Sequence, residues 1–155
     1  MLDDSGDPDF RDEDGLREAY DAPDGVAVHG ETMYIAGTRL DRLSGLRDVL
    51  DDVTFVPLRE AHKTQRYQQA YAALQKSGRV RMLVGHSLGG AAAAALKERF
   101  PELEARVYGA PLLRSSASVR VKSFRHRYDP ISMLDRGAIT NAAPPGRNPH
   151  TLAGY

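Results

Sequence analysis

The segment Gly85-His86-Ser87-Leu88-Gly89-Gly90 has the residue types and spacing for covalent chemistry. It fits G-x-S-x-G, follows the apolar run 80–84 and opens the alanine-rich stretch 88–100. A serine on a tight strand-to-helix turn projects its hydroxyl beyond the sheet, where it can act as a nucleophile. Gly85 and Gly89 keep side chains out of a turn whose backbone is crowded. The helix behind Ser87 directs N–H groups and partial positive charge at any oxyanion formed there, so the Leu88 N–H is the expected first donor. The plain alternative is a glycine-rich turn carrying an ordinary serine. A phosphate-binding loop fits less well, because its Lys-Ser/Thr pair is missing.

A serine hydroxyl needs a base near neutral pH. For a nucleophile on such an elbow the order along the chain is serine, acid, histidine. Two histidines follow Ser87: His126 and His150. Asp129 comes five residues after the β-type run 119–124, and His150 lies in the final loop, so Ser87–Asp129–His150 meets both order and placement. His126 precedes Asp129 and is the weaker base; Asp135 is the reserve acid. The competing roles are a turn aspartate before Pro130 and a solvated loop histidine. His29 and His62 read as surface or capping residues. His86, beside the nucleophile, reads as packing or contacting substrate.

These groups need a scaffold, and the hydrophobic pattern supplies one. Runs 26–29 and 32–36 flank Gly30-Glu31 as a tight hairpin. Leu40, Leu43, Leu46 and Leu50 give 39–50 helical spacing. That stretch reads as a sheet-covering core helix, with a lid over an apolar pocket as the alternative. A short strand follows at 53–56. Tyr67, Ala70, Tyr71 and Leu74 make one stripe of a helix over 64–77 that Gly78 stops. Strands at 80–84, 105–108 and 119–124 complete the pattern. Beyond Phe124 the prolines and glycines leave room only for short elements such as 131–134. The alternation predicts an α/β fold: a mostly parallel sheet, an N-terminal antiparallel hairpin and helices on both faces.

Zero net charge conceals an asymmetry. Residues 1–25 hold ten acidic and two basic side chains, a balance of −8, and the rest of the chain carries +8. The expected organisation is therefore an acidic, flexible leader at 1–25, solvated or loosely draped on the domain with a turn of helix at Leu16–Tyr20, and one compact domain at 26–155. The nineteen basic groups of that domain are scattered rather than clustered with aromatics, so no nucleic acid is expected. They could instead favour peripheral contact with an anionic membrane surface. Without cysteine there is no thiolate nucleophile and no disulfide. The first residues lack the pattern of a secretion signal, and the apolar run 91–96 is far below the ~20 residues of a membrane-spanning helix.

From about Met33 to His150 the sequence resembles the class 3 lipase group of α/β-hydrolases. The resemblance rests on the elbow, on Tyr108-Gly109-Ala110-Pro111, on Asp129-Pro130-Ile131 and on His150 near the end. Tyr34-Ile35-Ala36-Gly37-Thr38 is similar to the family's strand ending in Gly-Ser/Thr, which makes Thr38 the second oxyanion donor through its N–H and hydroxyl. An N-cap role for Thr38 is compatible with this. Departures are equally specific. Ile35-Ala36 stands where the family has Phe-Arg, and His62-Lys63-Thr64-Gln65-Arg66-Tyr67 replaces His-x-Gly-Phe. Arg66 then reads as solvated or ion-paired, with contact to an anionic substrate as the alternative. With this stretch the compact domain resembles forms found in large DNA viruses. The resemblance implies a serine esterase acting on carboxylic, lipid-type acyl esters through an acyl-enzyme. It implies no metal or organic cofactor and a cytoplasmic or virion-associated setting. The alternative is a catalytically inactive hydrolase-fold module that binds or supports.

Overall fold

Strand β1 (Val26–His29) turns at Gly30-Glu31 and returns as β2 (Thr32–Ile35), the two pairing antiparallel from Val26↔Ile35 to His29↔Thr32. Gly30 has φ 55°, the left-handed start that two-residue hairpin loops favour. The computed structural model describes residues 9–37, 64–110, 121–126 and 139–141. From β2 onward every pairing is parallel: β3 (Met82–His86), β4 (Glu104–Tyr108), β5 (Lys122–His126) and β6 (Ile139–Asn141). The six strands lie in sequence order across one sheet.

Alternation along the strands sorts side chains to two faces. Met33, Ile35, Leu83 and Val107 join one apolar cluster, which also contains Tyr67 and Ala70 of α2 (Gln65–Ser77) and the buried run 91–96 of α3 (Leu88–Arg99). Tyr34, Ala36, Val84 and Tyr108 join a second cluster with Leu16 and Ala19 of α1 (Asp12–Asp21). The central strand is consequently buried on both faces, as parallel sheets require. Thr64 caps α2 by accepting from the Tyr67 N–H at 3.2 Å, and Gly78 ends it at φ 64°. Small residues let α3 lie close on the sheet, so it is buried from Gly89 to Leu96.

Helix α1 corrects the expectation of a flexible leader over Asp12–Asp21 and extends the turn expected at Leu16–Tyr20. Its first turn holds Asp12, Glu13 and Asp14, which complement the N-terminal end of the helix dipole. The Asp14 carboxylate accepts from the Arg11 N–H at 2.9 Å. Leu16 and Ala19 are buried against the sheet. Two of the acids have partners on the sheet. Asp12 accepts from Arg106 Nη2 at 2.9 Å and from the Tyr108 hydroxyl, and Glu18 lies 2.6 Å from His29 Nε2. Leu16 and Ala19 among so many carboxylates make too weak a stripe to show more than a turn, and the full helix goes with the sheet that buries them.

The second correction is β6, within a region read as loop. Three residues are too few to show an alternating pattern, and pairing with β5 from Phe124↔Ile139 to His126↔Asn141 makes the strand. The predicted elements at 39–50, 53–56 and 131–134 lie outside the described residues. Among the described residues no helix is long and apolar enough to cross a membrane.

Candidate active site

Ser87 stands between the end of β3 and the first residue of α3, with φ 55° and ψ −125°. Among the described residues it is the only non-glycine with positive φ. Holding a side-chain-bearing residue in so sparse a region costs on the order of 1–3 kcal/mol and persists only where the surroundings impose it. Here they do. The Ser87 N–H donates to the Tyr108 carbonyl at 2.9 Å, and the Ser87 carbonyl accepts from Gly90 N at 2.9 Å and Ala91 N at 3.3 Å. The elbow is also too tight for side chains at its glycines. A Cβ on Gly85 would sit 2.3 Å from the Gly89 oxygen, and one on Gly89 would sit 2.1 Å from the Ile35 oxygen.

The end of β2 comes directly against Ser87. A Cβ on Gly37 would lie 2.7 Å from the Ser87 Cβ and 2.9 Å from both the His86 carbonyl and the Tyr20 hydroxyl. The two strand ends are level because β2 and β3 run parallel with Ile35 opposite Gly85. The first expected oxyanion donor, the Leu88 N–H, belongs to the opening residue of α3. Thr38, Asp129 and His150 lie outside the described residues, as does the reserve acid Asp135. Ser87 itself is 3% exposed.

No family model, curated protein or solved structure matches this chain.

His86 resolves to packing. Its ring is buried, and Nδ1 shares a 2.7 Å hydrogen bond with the Tyr20 hydroxyl, the two rings meeting edge-on at 5.9 Å. Sequence reasoning places Tyr20 only at the end of a helical turn and gives it no part in the site. Burial pushes its phenol pKa up to about 12, while a hydrogen bond from the Gly37 backbone and the charge of Arg66 pull the other way. The phenol therefore keeps its proton throughout the neutral range. Its only sequence signal is a four-residue spacing from Leu16, one turn along the helix. Tyr108 is pushed up as well, by burial and by its hydrogen bond to the Asp12 carboxylate.

Arg66 is neither solvated nor simply ion-paired. Its Nη1 donates to the Asp24 carbonyl at 2.7 Å and to Gln69 Oε1 at 3.1 Å, and its Nη2 donates to the Gly37 carbonyl at 3.1 Å. Among the described residues no group of three or more His, Asp or Glu side chains is placed to hold a metal.

Proposed function

We propose that the protein is a serine hydrolase of carboxylic esters, of the class 3 lipase-like α/β-hydrolase type. The observation that carries this reading is Ser87 in a strained strand-to-helix turn with the Gly37 end of β2 packed on its Cβ. That is the arrangement a nucleophile elbow requires, with helix N–H groups on one side of the hydroxyl and a second strand end on the other.

In this reading His150 takes the Ser87 proton as Ser87 attacks the ester carbonyl. The Leu88 and Thr38 N–H groups hold the oxyanion, and Asp129 orients the imidazole and stabilises its cation. His150 then activates water to release the acid from the acyl-enzyme. The register supports the acid's assignment. Strand β5 ends two strands from β3, on order of 10 Å away, with Phe124 level with Tyr108 and Tyr108 with His86. Asp129 is the third residue after His126, and three residue steps of chain span up to ~10 Å. The apolar faces around the elbow favour an acyl substrate over a peptide, and no cofactor takes part in the scheme.

Burial of Ser87 favours a second reading, a hydrolase-fold module that binds without turnover. A fluorophosphonate probe and a p-nitrophenyl acyl ester separate the two. Hydrolysis proceeds by attack of the serine oxygen, so the wild type should be labelled at Ser87 and Ser87→Ala should lose both signals. Equal labelling or equal turnover in Ser87→Ala would refute catalysis by this residue. Membrane-surface contact belongs to the same proposal. Sedimentation with liposomes should rise with anionic lipid content, each nearby basic side chain adding about 1 kcal/mol; indifference to lipid charge removes that part.

A further inference from the structure

We propose that Tyr20 is a positioning residue for Ser87, its hydroxyl bridging the two strand ends beside the serine and holding the His86 ring in the Nε2–H tautomer. The inference rests on reading Ser87 as the nucleophile, and it gives α1 a part in the site.

The bridge follows from what one phenol oxygen can do. Val84 belongs to the cluster under α1, and His86, two residues further along β3, has its side chain on the same face. Tyr20, in the last turn of α1, meets the ring there, its oxygen 2.7 Å from Nδ1. The same oxygen accepts from the Gly37 backbone N–H, just past β2. A hydroxyl has one proton and two lone pairs. Gly37 occupies a lone pair, so the proton is left for the imidazole. The phenol keeps that proton across the neutral range. Among the described residues Nδ1 is the acceptor within its reach. A ring nitrogen that accepts carries no hydrogen, and in a neutral imidazole the other nitrogen then bears it.

Both strand ends are held from more than one side. Gly37 has its N–H on Tyr20 and its carbonyl on Arg66 Nη2 at 3.1 Å. The arginine has a cut seat: Gly25 has φ 71°, and a Cβ there would fall 1.4 Å from Nη1. On the other side, the Ser87 N–H donates to the Tyr108 carbonyl at 2.9 Å, and the Tyr108 hydroxyl donates to Asp12 in the first turn of α1. One helix thus braces the elbow twice. Tyr20 holds the residue before the serine, and Asp12 holds the residue whose carbonyl receives the serine N–H. A Cβ on Gly37 would meet the Ser87 Cβ at 2.7 Å, so whatever fixes Gly37 also sets the wall beside the serine side chain.

Tyr20→Phe keeps the ring and removes only the bridge. A misplacement of ~1 Å around reacting atoms costs ~10²-fold in rate, so loosening one of the two holds on Gly37 should cost about 10-fold. That loss should appear in fluorophosphonate labelling of Ser87 and in kcat for p-nitrophenyl butyrate, with KM within about three-fold. Amide hydrogen exchange at Gly37 should speed up by about 10-fold or more. Nitrogen NMR of the His86 ring reads the tautomer in the wild type at neutral pH, with Nδ1 bare and Nε2 protonated. Arg17→Ala, exposed on the same helix, should match the wild type in every reading. The proposal is overturned if Nδ1 carries the ring proton, if Gly37 exchange is unchanged in Tyr20→Phe, or if labelling holds within about two-fold. It is overturned too if the loss merely tracks the unfolded fraction by circular dichroism. Should Tyr20→Phe not fold, the wild-type ring and the protection of its Gly37 amide decide: a bare Nδ1 with a slow amide supports the bridge, and either failing removes it. A wild type that is neither labelled nor active sinks the hydrolase reading and the rate consequence with it, while the ring and amide readings still decide the bridge.

Discussion

Truncating Leu16 to alanine removes a side chain that is 1% exposed and packed in one apolar cluster with Ala19, Tyr34, Ala36, Val84 and Tyr108. If α1 is part of the core, the cost is that of a core Leu→Ala change, about 2–5 kcal/mol, because transfer and cavity terms add. That is a large share of the ~5–15 kcal/mol that holds a domain together. For a chain of this length each kcal/mol lowers Tm by about 2–4 °C, so the melting temperature should fall by about 4–20 °C. Circular dichroism at 222 nm reads the transition. Arg17→Ala provides the control on the same helix, since Arg17 is 58% exposed and pairs only with the neighbouring turn through Glu13; it should change stability by less than about 1 kcal/mol. Coincident melts for Leu16→Ala and wild type would show that the N-terminal stretch is a loose leader after all.

Gly37→Ala should slow fluorophosphonate labelling of Ser87, because the new Cβ meets the Ser87 Cβ at 2.7 Å. Overpacking of this kind costs ~1–3 kcal/mol, and if it falls on the reactive geometry the rate drops about 5–150-fold; an unchanged rate would mean the two strand ends are not in register. Alkaline titration tests Tyr20. Its folded pKa of about 12 exceeds the ordinary value near 10, so the native state binds the proton more tightly and stability is lost as pH rises between those values. Between pH 9 and pH 11, Tyr20→Phe should remove about 1 kcal/mol of that loss, leaving the part due to Tyr108, which is shifted in the same direction. Urea melts at pH 9 and pH 11 that fall equally in both proteins would contradict the assignment.

The hairpin, the parallel strands and the elbow were legible because each has a local cause. Period-two alternation marks β1 and β2, glycine punctuation marks Ser87, and a capping threonine with a terminal glycine brackets α2. What stayed hidden depends on distant partners. The anchors of α1 pair Asp12 with Arg106 and Tyr108, 94 and 96 residues away, and no local pattern announces them. Arg66 could be seen only as a charge, since its seat depends on a positive φ at Gly25 and on the carbonyl of Gly37. Strand β6 is too short to have a period. The serine and Leu88 of the predicted site fall within the described residues; Thr38, Asp129 and His150 rest on chain order and resemblance.

The docking of α1 bears on how the molecule is made. The helix leaves the ribosome before the strands it packs on; His29 and Tyr34 follow closely, but Arg106 and Tyr108, which receive Asp12, are translated much later. Until β4 has left the exit tunnel, Asp12 lacks these partners and the cluster around Leu16 lacks Tyr108. Contacts of such wide sequence separation form slowly. A chain halted before Glu104 should therefore leave this segment open to proteases, and a chain halted after Tyr108 should begin to shield it.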